Sequence, residues 1–360
     1  MPTLLDLFSG CGGLALGSKY AGFSTELAVD IDPILSSSFS INFPNVPFLR
    51  EDVQELSASR LKSLLPSGVD GVIGGPPCQP FSGIGRGVLD DPRRNLLGHF
   101  FRIVKAVRPR FFMMENVPGL MFPNHRPLLD AELSSLGKTW HVIGPVILDA
   151  SDFGAPTKRK RVFVFGFDRK KMAVPTLEKL IESQRARTCV RDAIYDLAAS
   201  VQLSDDLWRY GDEICTSHYA RRLRSDRGVF CGHQRTVHKP ETILRYATIP
   251  QGAVDPVGKH KRLAWDGLCP TLRAGTGSDR GSYQAVRPLH PEENRVITPR
   301  EAARLQGFPD GFIFHNTVWH SFRMIGNSVS PVIAEALLAN IMPYLCEPRH
   351  TRQSKAAAVA

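Results

Sequence analysis

The chain has 360 residues, 42% of them hydrophobic, enough for one large domain and a smaller one. Its formal charge of +10, from 45 Lys and Arg against 35 Asp and Glu, favours a polyanionic partner, nucleic acid above all. No basic segment leads into an apolar stretch at the start, no apolar run approaches membrane-spanning length, and the seven cysteines show no Cys-x-x-Cys spacing; no secretory signal, membrane span, zinc ribbon or disulfide framework is expected, and a reducing cytoplasm fits best.

Residues 3–8 read as a short apolar strand. Ser9-Gly10-Cys11-Gly12-Gly13 then turns tightly into a helix predicted over 14–21. Glycines there let the backbone approach a ligand, and the helix start offers N–H groups to an anion. A second strand, 26–29, ends at Asp30 and Asp32, and an acid about 20 residues beyond a glycine loop suits a ribose hydroxyl pair. Gly10-x-Gly12-x-x-Ala15 formally matches a dinucleotide fingerprint, so at this point a nicotinamide-dependent dehydrogenase and an S-adenosylmethionine enzyme both remain open. Residues 47–49 suggest a third strand, followed by Asp52 as an adenine partner and a helix over 53–64.

The apolar run 69–73 reads as a buried strand that stops at Gly74-Gly75-Pro76-Pro77-Cys78-Gln79-Pro80. A thiol on a rigid loop at a strand's carboxyl end is well placed for chemistry. Residues 81–94, rich in Gly, Ser, Arg and Asp, read as a loop over the site. A helix over 96–107 leads to the buried strand 110–114 and to Glu115-Asn116-Val117, a carboxylate leaving the sheet at the edge that carries Cys78. Burial there would raise its pKa, and Asn116 could brace it. Strands are predicted over 141–148 and 161–167, with Arg159 and Arg161 alternating onto one face.

From about 168 to 290 the strand–helix alternation fades into a polar, basic, turn-rich stretch, read as a second, smaller domain. Cys215, His218, Cys231, His233 and His238 fit no tight ligand pair, so no metal is expected. Thr271-Leu272-Arg273 reads as a flexible reading loop. Thr298 caps a helix that starts at Pro299 and stops at Gly307, and Gly326-Asn327-Ser328-Val329 precedes a closing helix.

Six of these stretches, in order, resemble the C5-cytosine DNA methyltransferase family. They are Asp6-Leu7-Phe8-Ser9-Gly10-Cys11-Gly12-Gly13, Pro76-Pro77-Cys78-Gln79-Pro80, Glu115-Asn116-Val117, Arg159 with Arg161, 298–309, and 326–329. Thr157 stands where the family usually has Gln. The resemblance implies an α/β fold: a Rossmann-like S-adenosylmethionine-dependent methyltransferase sheet with a smaller, irregular target-recognition domain inserted before the C-terminal helix. The catalytic domain would comprise 1–170 and 312–348, the recognition domain 171–292, a hinge helix 293–311, and a disordered tail 349–360.

The activity implied is sequence-specific DNA (cytosine-5)-methylation of a flipped-out base, with Cys78 adding to C6, Glu115 at N3, Arg161 at O2 and Arg159 steadying the loop and acid. Phe8, Gly10, Gly12, Asp30, Asp32, Asp52, Pro77, Leu96, Asn327 and Val329 would bind S-adenosyl-L-methionine and, after transfer, S-adenosyl-L-homocysteine. Ser82, Arg86, Thr271, Leu272 and Arg273 would meet DNA. Double-stranded DNA is the expected partner of a monomeric bacterial or archaeal protein working at the nucleoid, with a separately acting restriction endonuclease as a possible companion. The family's tRNA-methylating branch is the alternative; its Cys-Phe-Thr is absent here. A dehydrogenase is disfavoured because it gives Cys78 and Glu115 no use.

Overall fold

Seven strands make one sheet in the order β3-β2-β1-β4-β5-β7-β6. They are β1 (Thr3–Leu7), β2 (Ser24–Val29), β3 (Phe48–Leu49), β4 (Gly71–Gly74), β5 (Phe111–Asn116), β6 (Trp140–Asp149) and β7 (Lys160–Asp168). The structure is a computed structural model describing residues 1–77, 95–183, 185–212, 217–274 and 287–346. The first five strands run parallel, and β7 lies antiparallel between β5 and β6. Strands buried on both faces should read as unbroken apolar runs. That is why Phe111-Phe112-Met113-Met114 shows no alternation of polarity yet splits cleanly by face. Phe111 and Met113 pack with Leu4, Ile73, Phe163 and Phe165 on one side, and Phe112 and Met114 with Leu5, Val72, Val162 and Val164 on the other.

Helices cover both faces. α1 (Gly13–Tyr20) follows β1, α2 (Phe39–Asn42) follows β2, and α3 (Ala58–Leu64), α4 (Asn95–Val107) and α5 (Arg126–Ser134) follow in turn. The single helix expected over 53–64 is broken into a 3-10 turn, Val53–Glu55, and α3. Asp52 accepts from Gln54 N at 2.9 Å and Ser57 from Arg60 N at 3.2 Å. Each side chain starts its own turn, and such local acceptors compete with a continuous helix.

The stretch 168–290 is more ordered than its polarity suggested. It contains α6 (Leu177–Ile181), α7 (Val190–Ile194), β8 (Val201–Ser204), β9 (Leu207–Arg209), α8 (His218–Leu223), β10 (Val229–Phe230) and α9 (Pro240–Ala247). The three strands form an antiparallel sheet of order β10-β9-β8. The boundary expected at residue 171 falls inside a packed layer: Met172 and Leu180 share a core with Ile333, Leu337 and Ile341. Three last helices follow, α10 (Pro299–Gln306), α11 (Val318–Asn327) and α12 (Pro331–Cys346). α12 lies against α1 so closely that a Cβ on Gly17 would sit 2.5 Å from Ala334 Cβ.

α10 starts at the expected Thr298 cap, which makes a capping box with Glu301, and ends on Gly307 at φ 93°. Its three charged residues would suit a wet face, yet every residue in it is buried. The charges find internal partners instead, Arg300 through the carbonyls of Cys231, Pro309 and Phe312. Arg304 is held by Asp310 at 2.7 Å and by Asp196 at 3.0 Å, and Glu301 by Arg295 at 2.8 Å. Burial alone would raise the Glu301 pKa; the Arg295 charge and hydrogen bonds outweigh it and keep the carboxyl ionised. One core joins Ala303 and Leu305 of α10 to Ala15 of α1, to Phe322 and Ile325 of α11, and to Trp208 and Phe230 of the small sheet. That packing brings the end of α11 to the start of α1.

Candidate active site at the switch point of the sheet

β1 is flanked by β2 on one side and β4 on the other, so the chain reverses its direction of travel across the sheet there. Ligands of open α/β sheets bind in the crevice at the carboxyl ends of such strands. A cavity of about 460 Å³ occupies that position. Its walls come from the turn after β1, the ends of β2 and β3, Gly75-Pro76-Pro77 after β4, Glu115 and Val117, Arg161, Leu96 at the start of α4, and Met324 with residues 326–329 beside α11.

The turn after β1 is held in left-handed backbone, with φ 57° at Phe8, 52° at Gly10 and 98° at Gly12. Gly12 is required there twice over, by that φ and because a Cβ would run into the Phe43 ring. No side chain caps α1, so its first N–H groups are left for a ligand. Asp30 closes the turn: its carboxylate accepts from Gly10 N and from Asp32 N, each at 2.8 Å. Burial raises the Asp30 pKa, and those two N–H groups oppose the rise. Asp32 accepts from Ile34 N at 2.8 Å through Oδ1, and Asp52 caps Val53–Glu55. All three acids therefore brace backbone as well as lining the cavity. Asp6 lies beneath, fully buried, its oxygens without a hydrogen-bond partner among the described residues; burial and then Asp30 push its pKa well up.

Because β7 runs antiparallel to β5, its first residues meet β5's last. Arg161 Nε thus reaches Glu115 Oε1 at 2.9 Å, with both side chains largely buried. Burial raises the Glu115 pKa; Arg161, then Arg159, pull it back. A Cβ on Gly75 would stand 2.9 Å from Glu115 Oε2, so this glycine makes room for the acid. Asn116 does not brace Glu115. Its amide donates to Pro76 O at 3.2 Å, two residues before Cys78. Cys78, Ser82 and Arg86 themselves lie outside the described residues.

The two arginines expected to share a face serve different partners. Arg159 precedes β7, is 1% exposed, and donates to Leu272 O at 3.2 Å, Gly326 O at 2.8 Å and Ser328 O at 2.6 Å. Thr157, the departure from the family pattern, is buried and donates to Cys269 O at 3.3 Å. The Thr271-Leu272-Arg273 stretch, expected to be a flexible reader, is pinned. Thr271 donates to Lys158 O at 2.6 Å and Leu272 is buried, while Arg273 remains exposed. Sequence reasoning missed Gly75, Met324 and the carbonyls of 326–328. Only the paired Gly74-Gly75 carried a readable signal. In the second region, His233 bonds Thr298 Oγ1 at 3.0 Å and Cys231 O accepts from Arg300 at 2.8 Å, so both are occupied in packing.

Asp30→Ala removes the side-chain tie from Gly10 to the end of β2 and leaves the bond from Ser9 N to Val29 O. Its expected effect is a rise of about tenfold or more in the dissociation constant for S-adenosylhomocysteine, measured calorimetrically. Wild-type affinity in that variant would mean that the turn holds its shape without Asp30.

The sequence model of the family described as C-5 cytosine-specific DNA methylase matches residues 3–343. The chain is 39% identical over 368 residues to the type II methyltransferase M.XorII of Xanthomonas oryzae pv. oryzae, covering 96% of this chain and 85% of the relative. It is 32% identical over 388 residues to the type II methyltransferase M.DdeI of Desulfomicrobium norvegicum, covering 95% and 89%. Among solved structures, an E. coli prophage-encoded protein described as a DNA modification methyltransferase superposes with a TM-score of 0.84 at 36% identity, covering 96% of this chain and all of that one. The S. pombe Dnmt2 methyltransferase, at 18% identity and a TM-score of 0.65 over 95% of this chain and 99% of its own, shares the fold. With the crevice, the Glu115–Arg161 pair and a family match spanning nearly its whole length, the chain belongs to the C-5 cytosine-specific DNA methylases and is a DNA (cytosine-5-)-methyltransferase.

Proposed function

We propose that the enzyme methylates C5 of a cytosine flipped out of duplex DNA, through a covalent bond between Cys78 and C6, and that it does so at one short sequence. The observation that carries this reading is the 2.9 Å Glu115–Arg161 pair, set against Gly75 at the root of the loop that leads to Cys78. C5 of cytosine is a weak nucleophile, and thiolate addition at C6 turns the ring into an enamine that is nucleophilic at C5. Glu115, its pKa raised by burial, donates its proton or a hydrogen bond to N3 as negative charge builds on the ring. Arg161 holds O2 and orients Glu115. After methyl transfer the C5 proton leaves to solvent, the Cys78–C6 bond breaks, the thiolate is returned, and N3 gives any proton it took back to Glu115. A stacked base hides C6, which is why the base must leave the helix.

S-adenosyl-L-methionine is the methyl donor of this family, and the residues of the cavity suit it. Its volume of about 460 Å³ lies in the range of small-molecule sites. The free N–H groups of α1 suit a carboxylate, and Asp32 and Asp52 suit a ribose and an amino-substituted ring. Phe8, Pro77, Leu96 and Val329 supply apolar walls beside Gly10 and Asn327. When bound, the group supplies an electrophilic methyl on sulfur. We assign DNA reading to the region between α6 and α10, with residues 1–170, α6, α11 and α12 forming the catalytic domain. By analogy with relatives named as type II methyltransferases, the modification would protect DNA from a companion endonuclease.

The test is base-resolution mapping of 5-methylcytosine in DNA from cells expressing the protein beside a Cys78→Ala control. One short motif, methylated only with the wild type, is expected. Methylation in RNA and none in DNA would overturn the substrate assignment.

A further inference from the structure

The segment from Met324 to Val329 has two faces. One lines the cavity, through Met324, Asn327 and Val329. This side is fastened to the β1 turn: a Cβ on Gly13 would strike Ser328 Oγ and Val329 O. The other face seats residues 272–274. A Cβ on Gly326 would lie 2.7 Å from Ala274 N and 2.8 Å from the Arg273 carbonyl carbon, so two backbones touch there. Arg159 spans the same junction, giving its planar fork to Gly326 O and Ser328 O on one side and to Leu272 O on the other. Thr157 and Lys158 extend the attachment by bonding Cys269 O, and Lys158 O receives Thr271. Of residues 271–273, Arg273 alone is exposed, on a backbone fixed from both sides.

We propose that Arg159 is a positioning residue that ties the cofactor wall at 326–328 to the backbone carrying Arg273, so that filling the cavity fixes the guanidinium that reads DNA. This rests on the DNA-methylating reading above. An exposed arginine on a rigid backbone suits the paired acceptors of a guanine edge. The buried guanidinium does not contact the base; it sets where Arg273 stands. Cofactor affinity and sequence discrimination are then linked reciprocally.

The first measurement is amide hydrogen exchange in the wild-type chain with and without S-adenosylhomocysteine. Exchange at 272–274 is expected to slow by about tenfold when the ligand is added. Unchanged exchange overturns the proposal, whatever any variant does.

The second is Arg159→Lys, which keeps the positive charge near Glu115 but not the fork that spans two segments. On duplexes bearing the mapped motif or one altered base, the ratio of kcat/KM values is expected to fall about tenfold. Tightening of DNA binding by S-adenosylhomocysteine should weaken by a similar factor. Gly326→Ala, which leaves Arg159 in place, should behave the same way. If Arg159→Lys restores wild-type discrimination, or lowers kcat equally on every duplex, Arg159 acts through its charge on the reacting centre and the proposal fails. If the lysine variant does not fold, the alanine variant and the wild-type exchange decide. A wild-type enzyme that methylates no DNA would instead sink the underlying function, whereas a methylated motif with failed coupling sinks only this inference.

Discussion

Replacing Cys78 by alanine is expected to lower methyl transfer by at least about 10⁴-fold, as loss of a covalent nucleophile does, while leaving S-adenosylhomocysteine binding in place. The two effects separate because, in the proposed mechanism, the Cys78 sulfur alone makes the bond to C6, whereas the cavity is walled by residues from seven other segments of the chain. A duplex in which fluorine replaces the C5 hydrogen of the target cytosine sharpens the test. Fluorine cannot leave as a proton does, so the wild type should remain bonded to this DNA through Cys78 after methyl transfer, and the adduct should survive denaturation. The alanine variant should release it. Residual transfer near the wild-type rate, or an adduct formed without Cys78, would exclude the covalent route.

Glu115→Gln is the second change with a large expected effect, a loss of about 10² to 10⁴ in single-turnover rate. Glutamine keeps the size and a hydrogen bond but has no proton to give. The pH dependence distinguishes loss of an acid from loss of packing. Burial raises the Glu115 pKa, with Arg161 opposing, so the protonated form persists to higher pH than for a free glutamate and is lost as pH rises through the raised value. Wild-type turnover should therefore decline on the alkaline side of that pKa, and the glutamine variant should lack that limb. An identical alkaline limb in both proteins would assign the titration to another group. Arg161→Lys should not substitute for the native residue, because a single ammonium cannot both hold Glu115, as the guanidinium does, and reach the base as proposed.

Several features of the site were legible in the chain before any fold was in hand. Gly10 and Gly12 announce a turn in left-handed backbone, which glycine adopts most readily, and both stand at positive φ. The apolar runs at β4 and β5 announce buried parallel strands, and both end at the cavity. Thr298 and Pro299 announce a helix start. Each is a local matter of dihedral preference, side-chain period or capping over a few residues. The expectation for 53–64 failed on the same local level, because Asp52 and Ser57 are two competing starts within one polar stretch.

The amino-acid sequence by itself determined the strand–turn–helix units, the glycine turn, the acid at the end of β5 and the family to which the motifs point. The tertiary structure alone decided which guanidinium meets Glu115 and which meets the carbonyls of 272, 326 and 328, since Arg159 and Arg161 differ by two positions in one basic run. It also decided that Thr271 is tied to Lys158 O and Leu272 is buried while Arg273 stays exposed, and that a charged helix such as α10 is buried whole. The reason is range. Period and propensity act over a turn or a strand, whereas Arg159, Thr271 and Arg304 find partners more than 100 residues away and Arg161 finds Glu115 on another strand, meetings that only the packed fold brings about.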